Sequence, residues 1–226
     1  MSTASVHRTL RSASSNQSSK QAKIQLKLMR PLPRPIRVLI LYGSLRDRSF
    51  SRLMAYEAAR LLSGMACDVR MNSPRGLPLR DDDNITGIFK TIFDHIPLST
   101  GSVRPTQGKV CAVSQVNGGS QSFNAVNTLR ILGRWMRMFV IPNQASLPTA
   151  WKCFDEADRM LASSNHDRLV DVCEELVKVS ALFVGKEQLF ADRWSERSEK
   201  TRNAGALFTQ EQKERAKGAP LLWVAY

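Results

Sequence analysis

Residues 38–42 are the first sustained apolar run, too short for a helix and rich in β-branched and aromatic side chains, so they predict a buried strand. Gly43 stops the run. Ser44, Arg46, Arg48, Ser49 and Ser51 follow, and then Leu53, Met54, Tyr56, Ala58, Leu61 and Leu62 recur at helical spacing as far as Gly64. Asp68–Asn72 predicts a short second strand, and residues 73–83 a loop ending in three aspartates. Ile85, Ile88, Ile92 and Ile96, flanked by Phe89 and Phe93, predict a helix closed by Pro97. Val110–Val116 is a second strong strand and runs into Asn117, Gly118, Gly119, Ser120, Gln121 and Ser122. Phe123, Val126, Leu129, Leu132 and Trp135 or Met136 line one stripe of a helix over 122–137. Residues 139–141 predict a third strong strand that ends at Pro142, Asn143 and Gln144. An amphipathic helix over 167–183 carries Leu169, Val172, Cys173, Leu176, Val179 and Phe183 inward, and from Gly185 the chain turns polar.

Repeated strand–loop–helix units predict an α/β chain, a flavodoxin-like doubly wound parallel sheet. Three regions are expected: a basic N-terminal arm over 1–35, a mononucleotide-binding domain over 36–185, and a polar tail over 186–226. The first strand–loop–helix unit has the make-up of a phosphate cradle. A helix N-terminus offers unpaired N–H groups and a partial positive charge, while hydroxyls and a guanidinium supply the remaining donors. The loop is neither a Walker loop nor a GxGxxG fingerprint; one glycine and three serines suit a terminal monophosphate. A plain capped turn is the alternative, because serine is a common N-cap. Gly118 and Gly119, followed by hydroxyls and an amide, fit a loop lining a planar ligand beyond a strand's carboxyl end, or else a flexible connection.

Charge changes little in this picture. Of the net +13, residues 1–37 hold eight Lys and Arg with no Asp or Glu, so the excess belongs chiefly to the arm. No nucleic-acid-binding motif accompanies it, and a nucleic-acid partner is not expected. The arm lacks the apolar stretch of a secretory signal; its Ser/Arg-rich, acid-free make-up also admits a mitochondrial address beside the expected cytoplasmic one. No run approaches the roughly 18 apolar residues of a membrane span, so a soluble chain is expected. Cys67, Cys111, Cys153 and Cys173 are scattered, and so are His7, His95 and His166. This is neither a disulfide framework nor a metal pattern, and the three adjacent aspartates read as a solvated loop.

Three segments carry a resemblance: YGSLRDRSFSR, RPTQGK and VNGGSQSFNAVNTLRILGRWMRMFVIPNQ. They closely resemble the ArsH family, within the NADPH-dependent FMN reductase superfamily, and the likeness extends from about Ile36 to Arg197. The resemblance implies FMN as cofactor, NADPH as hydride donor, and a homo-oligomer, dimer or more commonly tetramer. It implies oxidation of trivalent organoarsenicals with oxygen as final acceptor, hence arsenic resistance, and reduction of quinones and azo compounds. By motif, Ser44, Arg46, Ser49 and Ser51 would hold the FMN phosphate, and Gly118, Gly119, Ser120 and Gln121 would approach the isoalloxazine ring. No catalytic side chain is implied, since the flavin carries the chemistry, and no metal.

The chain departs from the family at the junction of Asp83 and Asn84. There, one helix–strand unit of roughly 30 residues is missing. In a 2-1-3-4-5 sheet that unit holds the strand between the first and fourth. Closing the sheet would need those two to pair, with a shift of ~5 Å in the phosphate loop. A second reading is therefore a shortened, non-catalytic relative, arising as a splice form or from an incomplete gene prediction.

Overall fold

A computed structural model describes residues 32–76, 86–96, 103–209, 212, 213 and 215. The arm up to residue 31, the three aspartates, the junction of Asp83 and Asn84, and residues 216–226 lie outside the described residues.

Strand β1 (Arg37–Leu41) leads into helix α1 (Phe50–Gly64) and back to a parallel β2 (Asp68–Asn72), in register from Arg37 opposite Asp68 to Leu41 opposite Asn72. Helix α2 (Gly87–Asp94) follows. Strand β3 (Val110–Val116), helix α3 (Asn124–Trp135) and a parallel β4 (Phe139–Leu147) form a second such unit, and α4 (Ser164–Phe183) and α5 (Trp194–Arg202) complete the chain. This is the α/β, doubly wound parallel class that the sequence predicts.

Helices α1 and α4 build one face of the core. Ser49 and Ser163 start them, each hydroxyl accepting a backbone N–H of the first turn, from Arg52 and His166 respectively. Leu53, Met54 and Leu62 of α1 and Leu169, Val172 and Val177 of α4 are buried in one cluster with Ile141, Ala145 and Leu147 of β4. Helix α3 packs on β3 and β4, with Val126 fully buried and Gly133 set against Val140 so closely that a Cβ would lie 2.4 Å from its Cγ2.

The two strand pairs remain separate: among the described residues no ladder joins β1 to β3. The order 2-1 beside 3-4 is a doubly wound sheet interrupted where a middle strand would pair with both neighbours. This corrects the expectation of a buried first strand. Val38, Ile40, Val69 and Met71 are partly buried, whereas Arg37, Leu39, Asp68 and Arg70 face outward and Leu39 is 62% exposed.

Strand β4 is a second correction. It does not stop at Pro142 but continues to Leu147. The pairing steps from Cys111 opposite Val140 to Val113 opposite Gln144, so two extra residues bulge out of β4 and absorb the proline, which can donate no ladder bond. Arg130 of α3 satisfies the bulge, donating to the carbonyl of Ile141 at 2.8 Å, to the carbonyl of Pro142 and to Oε1 of Gln144. From α4, Glu175 Oε2 accepts the N–H of Asn143 at 3.2 Å. The Arg130 guanidinium is thereby committed to the bulge.

The segment expected as a polar tail contains a docked helix. Glu196 of α5 is buried, accepts from Gln107 Nε2 at 3.0 Å and from Arg193 Nε at 2.8 Å, and closes a capping box at Arg193. Burial would raise its carboxyl, but these hydrogen bonds outweigh burial and hold it below the ordinary value of 4.5. Gln107 also donates to the carbonyl of Phe190 at 2.6 Å, and Thr106 to that of Met136 at 2.6 Å, so the RPTQGK segment fastens the C-terminal helices to the entry of β3 and β4. Among the described residues no helix is long and apolar enough to cross a membrane.

Two outcomes are expected. Arg130→Met keeps the stem and removes four charge-assisted bonds, to Ile141, Pro142, Asn143 and Gln144, so urea unfolding of this variant should show a loss of about 2–4 kcal/mol. A carboxyl held below its unfolded value stabilises fully above pH 4.5 and loses that contribution as pH falls through the lowered value. Glu196→Gln should therefore be less stable than wild type near pH 7, with the gap narrowing in acid; a gap independent of pH would contradict this.

Candidate functional site

The loop after β1 begins with a close approach. A Cβ on Gly43 would lie 2.5 Å from Phe89 Cβ and 2.5 Å from Thr86 Oγ1, and Thr86 Oγ1 donates to the Gly43 carbonyl at 2.7 Å. Glycine is required there because α2 rests on the loop. Ser44 Oγ accepts the N–H of Arg46 at 3.4 Å, and Arg46 is exposed with no ion pair among the described residues. Ser49 is buried, bonds Ser51 Oγ at 2.9 Å and caps α1. No acidic residue lies in the first turn of α1, and Arg52 Nε is buried there without a hydrogen-bond partner among the described residues. A positive helix end, hydroxyls and an orphaned buried donor form an anion cradle.

The loop after β3 is constrained in the opposite way. Gly118 and Gly119 have no left-handed φ, and a Cβ on either would meet nothing within 4 Å. Among the described residues neither backbone conformation nor packing calls for glycine. Three of the loop's carbonyls are spoken for: Ala150 N donates to that of Asn117 at 3.0 Å, Thr149 N to that of Gly119 at 2.8 Å, and Ser146 Oγ to that of Ser122. A trans peptide points its N–H opposite its carbonyl. The N–H groups of Gly118 and Ser120 therefore face away from residues 149–150, toward the open side of the glycines. The N–H groups of 118–121 donate to nothing among the described residues. Gln121 is exposed, with Nε2 3.3 Å from the Ser146 carbonyl.

A strap over residues 149–158 brings the two loops to the same end of the fold. Its first residues hold the second loop through the bonds just named. Its far end holds the first: Arg48 donates to Asp158 Oδ1 and to the Asp155 carbonyl, both at 3.0 Å, and Phe50 stacks on Phe154 with centroids 5.9 Å apart. Beneath it, the buried carboxylate of Glu57 pairs with Arg60 (Nε at 3.0 Å), lies 3.5 Å from Arg159 and 3.6 Å from His166, and so joins α1, the strap and α4. All eight residues singled out by sequence thus stand at strand carboxyl ends linked by one strap. Sequence reasoning missed the strap itself, and also Gln115 and Ser146; their only signal was polar residues inside apolar strands.

The thiols are not activated. Burial pushes Cys173 up to about 12 and Cys111 up to about 11, and raises Cys67 and Cys153 as well. They serve as small core side chains.

The profile of the NADPH-dependent FMN reductase family matches residues 82–152. The chain is similar to the NADPH-dependent FMN reductase ArsH of Shigella flexneri, 48% identical over 193 residues, 72% of this chain and 76% of that protein. Its likeness to ArsH of Rhizobium meliloti is 50% over 192 residues (72% and 80%), and to ArsH of Acidithiobacillus ferrooxidans 46% over 194 residues (73% and 82%). Among solved structures, an oxidoreductase from Corynebacterium diphtheriae aligns with a TM-score of 0.47 at 16% identity, over 67% of this chain and 98% of that one. The alignment to the Shigella protein is 193 residues long, yet 72% of this chain is about 163 residues. About 30 of that protein's positions therefore have no counterpart here, the size of one helix–strand unit.

The two glycine sites should respond differently to a methyl group. Gly43→Ala should lower the melting temperature by several degrees, from about 1–3 kcal/mol of overpacking. Gly118→Ala and Gly119→Ala should leave it within about a degree, because nothing among the described residues occupies the added volume.

Proposed function

Because the chain belongs to the ArsH family of NADPH-dependent FMN reductases, we propose that it is a flavoprotein oxidoreductase whose FMN spans the cradle after β1 and the glycine loop after β3. The observation that carries the reading is a pair of glycines that nothing among the described residues calls for, with N–H groups of 118 and 120 that donate to none of those residues. The residues present fit the group. Ser44, Arg46 and Ser51, with Ser49 at the helix N-terminus and Arg52 beneath, would hold the terminal phosphate. Gly118, Gly119, Ser120 and Gln121 would present backbone donors to the polar edge of the ring and let it approach the backbone. When bound, FMN accepts a hydride from NADPH and passes electrons onward, which is why no side-chain nucleophile is needed.

In its finer form the reading gives oxygen, quinones and azo compounds as acceptors, trivalent organoarsenicals as oxidisable substrates, and arsenic resistance as the outcome. A homo-oligomer belongs to it too: Ile131 and Trp135, one turn apart on α3, are 62% and 55% exposed. A second reading, a shortened relative without activity, is favoured by one observation, the missing ladder between β1 and β3.

Purification decides between the two. The oxidoreductase should elute yellow, lose its flavin absorbance on addition of NADPH without oxygen, and regain it when oxygen or a quinone is admitted. A folded but colourless protein that takes up no added FMN would establish the second reading.

A further inference from the structure

We propose that Gln115, Asn117 and Ser146 are positioning residues: a hydrogen-bonded relay that anchors the Asn117 side chain and the Ser122 carbonyl at the two ends of the loop, so that the carbonyls of Asn117 and Gly119 stay on the N–H groups of Ala150 and Thr149 and the N–H groups of 118 and 120 stay presented to the flavin. The proposal rests on the FMN reading above.

The relay's direction follows from a single backbone donor. Val126 N–H lies in the first turn of α3, where Phe123 supplies no side-chain cap. Gln115 Oε1 reaches across from β3 and accepts it at 2.9 Å. A carboxamide whose oxygen is committed can offer only its Nε2, so Asn117 must receive on Oδ1, 2.8 Å away, and give from Nδ2. Ser146 Oγ receives that donor at 2.9 Å, which sends the serine's own proton to the Ser122 carbonyl. Each step leaves one choice for the next. Gln115 and Ser146 are 9% and 6% exposed, so water cannot readily replace a broken link. Gln121, donating to the Ser146 carbonyl, ties the far end of the loop to the same strand. None of the three relay side chains needs to touch the ligand; they fix which way the peptide planes beside it point.

Three full-length variants test this at pH 8. Ser146→Thr keeps the hydroxyl, whereas Ser146→Val keeps the shape of threonine without it. Gln115→Glu keeps an oxygen for Val126 N–H but has no N–H for Asn117, which separates the relay from mere helix capping. FMN affinity, read by quenching of flavin fluorescence, should stay within about twofold for Ser146→Thr and weaken about tenfold for Ser146→Val and Gln115→Glu. In flavin-free protein, amide hydrogen exchange at Thr149 and Ala150, whose N–H groups hold the carbonyls of Gly119 and Asn117, should quicken in the latter two, with the amides of β1 and β2 as the control. Equal affinity in all three, or unchanged exchange in Gln115→Glu, overturns the proposal. Should Ser146→Val fail to fold, Gln115→Glu alone decides. A wild-type chain that binds no FMN would sink the functional reading, while exchange at Thr149 and Ala150 would still test the relay.

Discussion

The missing backbone ladder between β1 and β3 is the constraint that everything else accommodates. In an intact doubly wound sheet, each inner strand shares hydrogen bonds with two neighbours, and each bond contributes ~1 kcal/mol net. Losing a whole strand's set on both sides approaches the total stability of a domain, ~5–15 kcal/mol. What unites the two strand pairs here is side-chain packing. Helices α1 and α4 cover one face as a single apolar cluster, and the buried Glu57 draws Arg60, Arg159 and His166 together from three segments. Packing of this kind is less directional than a ladder. It holds two loops at one end of the fold without setting their separation to a strand spacing, and the strap over 149–158 supplies the specific bonds that packing lacks.

The two halves of the site obey different rules. The cradle after β1 is shaped from outside, by Thr86 and Phe89 pressing on Gly43. The glycine loop is shaped from within, by the backbone N–H groups of 149 and 150 on two of its carbonyls and by Ser146 on a third. In the first, glycine answers a contact already present. In the second, nothing among the described residues occupies the space that a side chain would take.

Much of this was legible in the sequence where periodicity and local chemistry agree. The strand–loop–helix units over β1–α1 and β3–α3 follow from apolar runs that end near glycine and from helical periodicity, with a serine cap on α1. Strand β4 was cut short because a proline usually ends a strand, and nothing local to Pro142 reveals that Arg130 and Glu175 will hold a bulge around it. Helix α5 read as tail because a helix held by buried ion pairs, such as Glu196 with Arg193, looks as polar as a solvated one. The exposure of Leu39 has no local signal: its run has the composition of an inner strand, while among the described residues β1 pairs on one side alone.

That last feature has a cost for the folded molecule. An edge strand in a natural protein is usually guarded by a lysine, a proline or a bulge that discourages a second chain from adding to it. Val38, Leu39, Ile40 and Leu41 carry no such guard, and Arg37 at the start of the strand is the one charge on it. Among the described residues β1 pairs on one side alone, which leaves its other side able to accept an extended segment of a second chain.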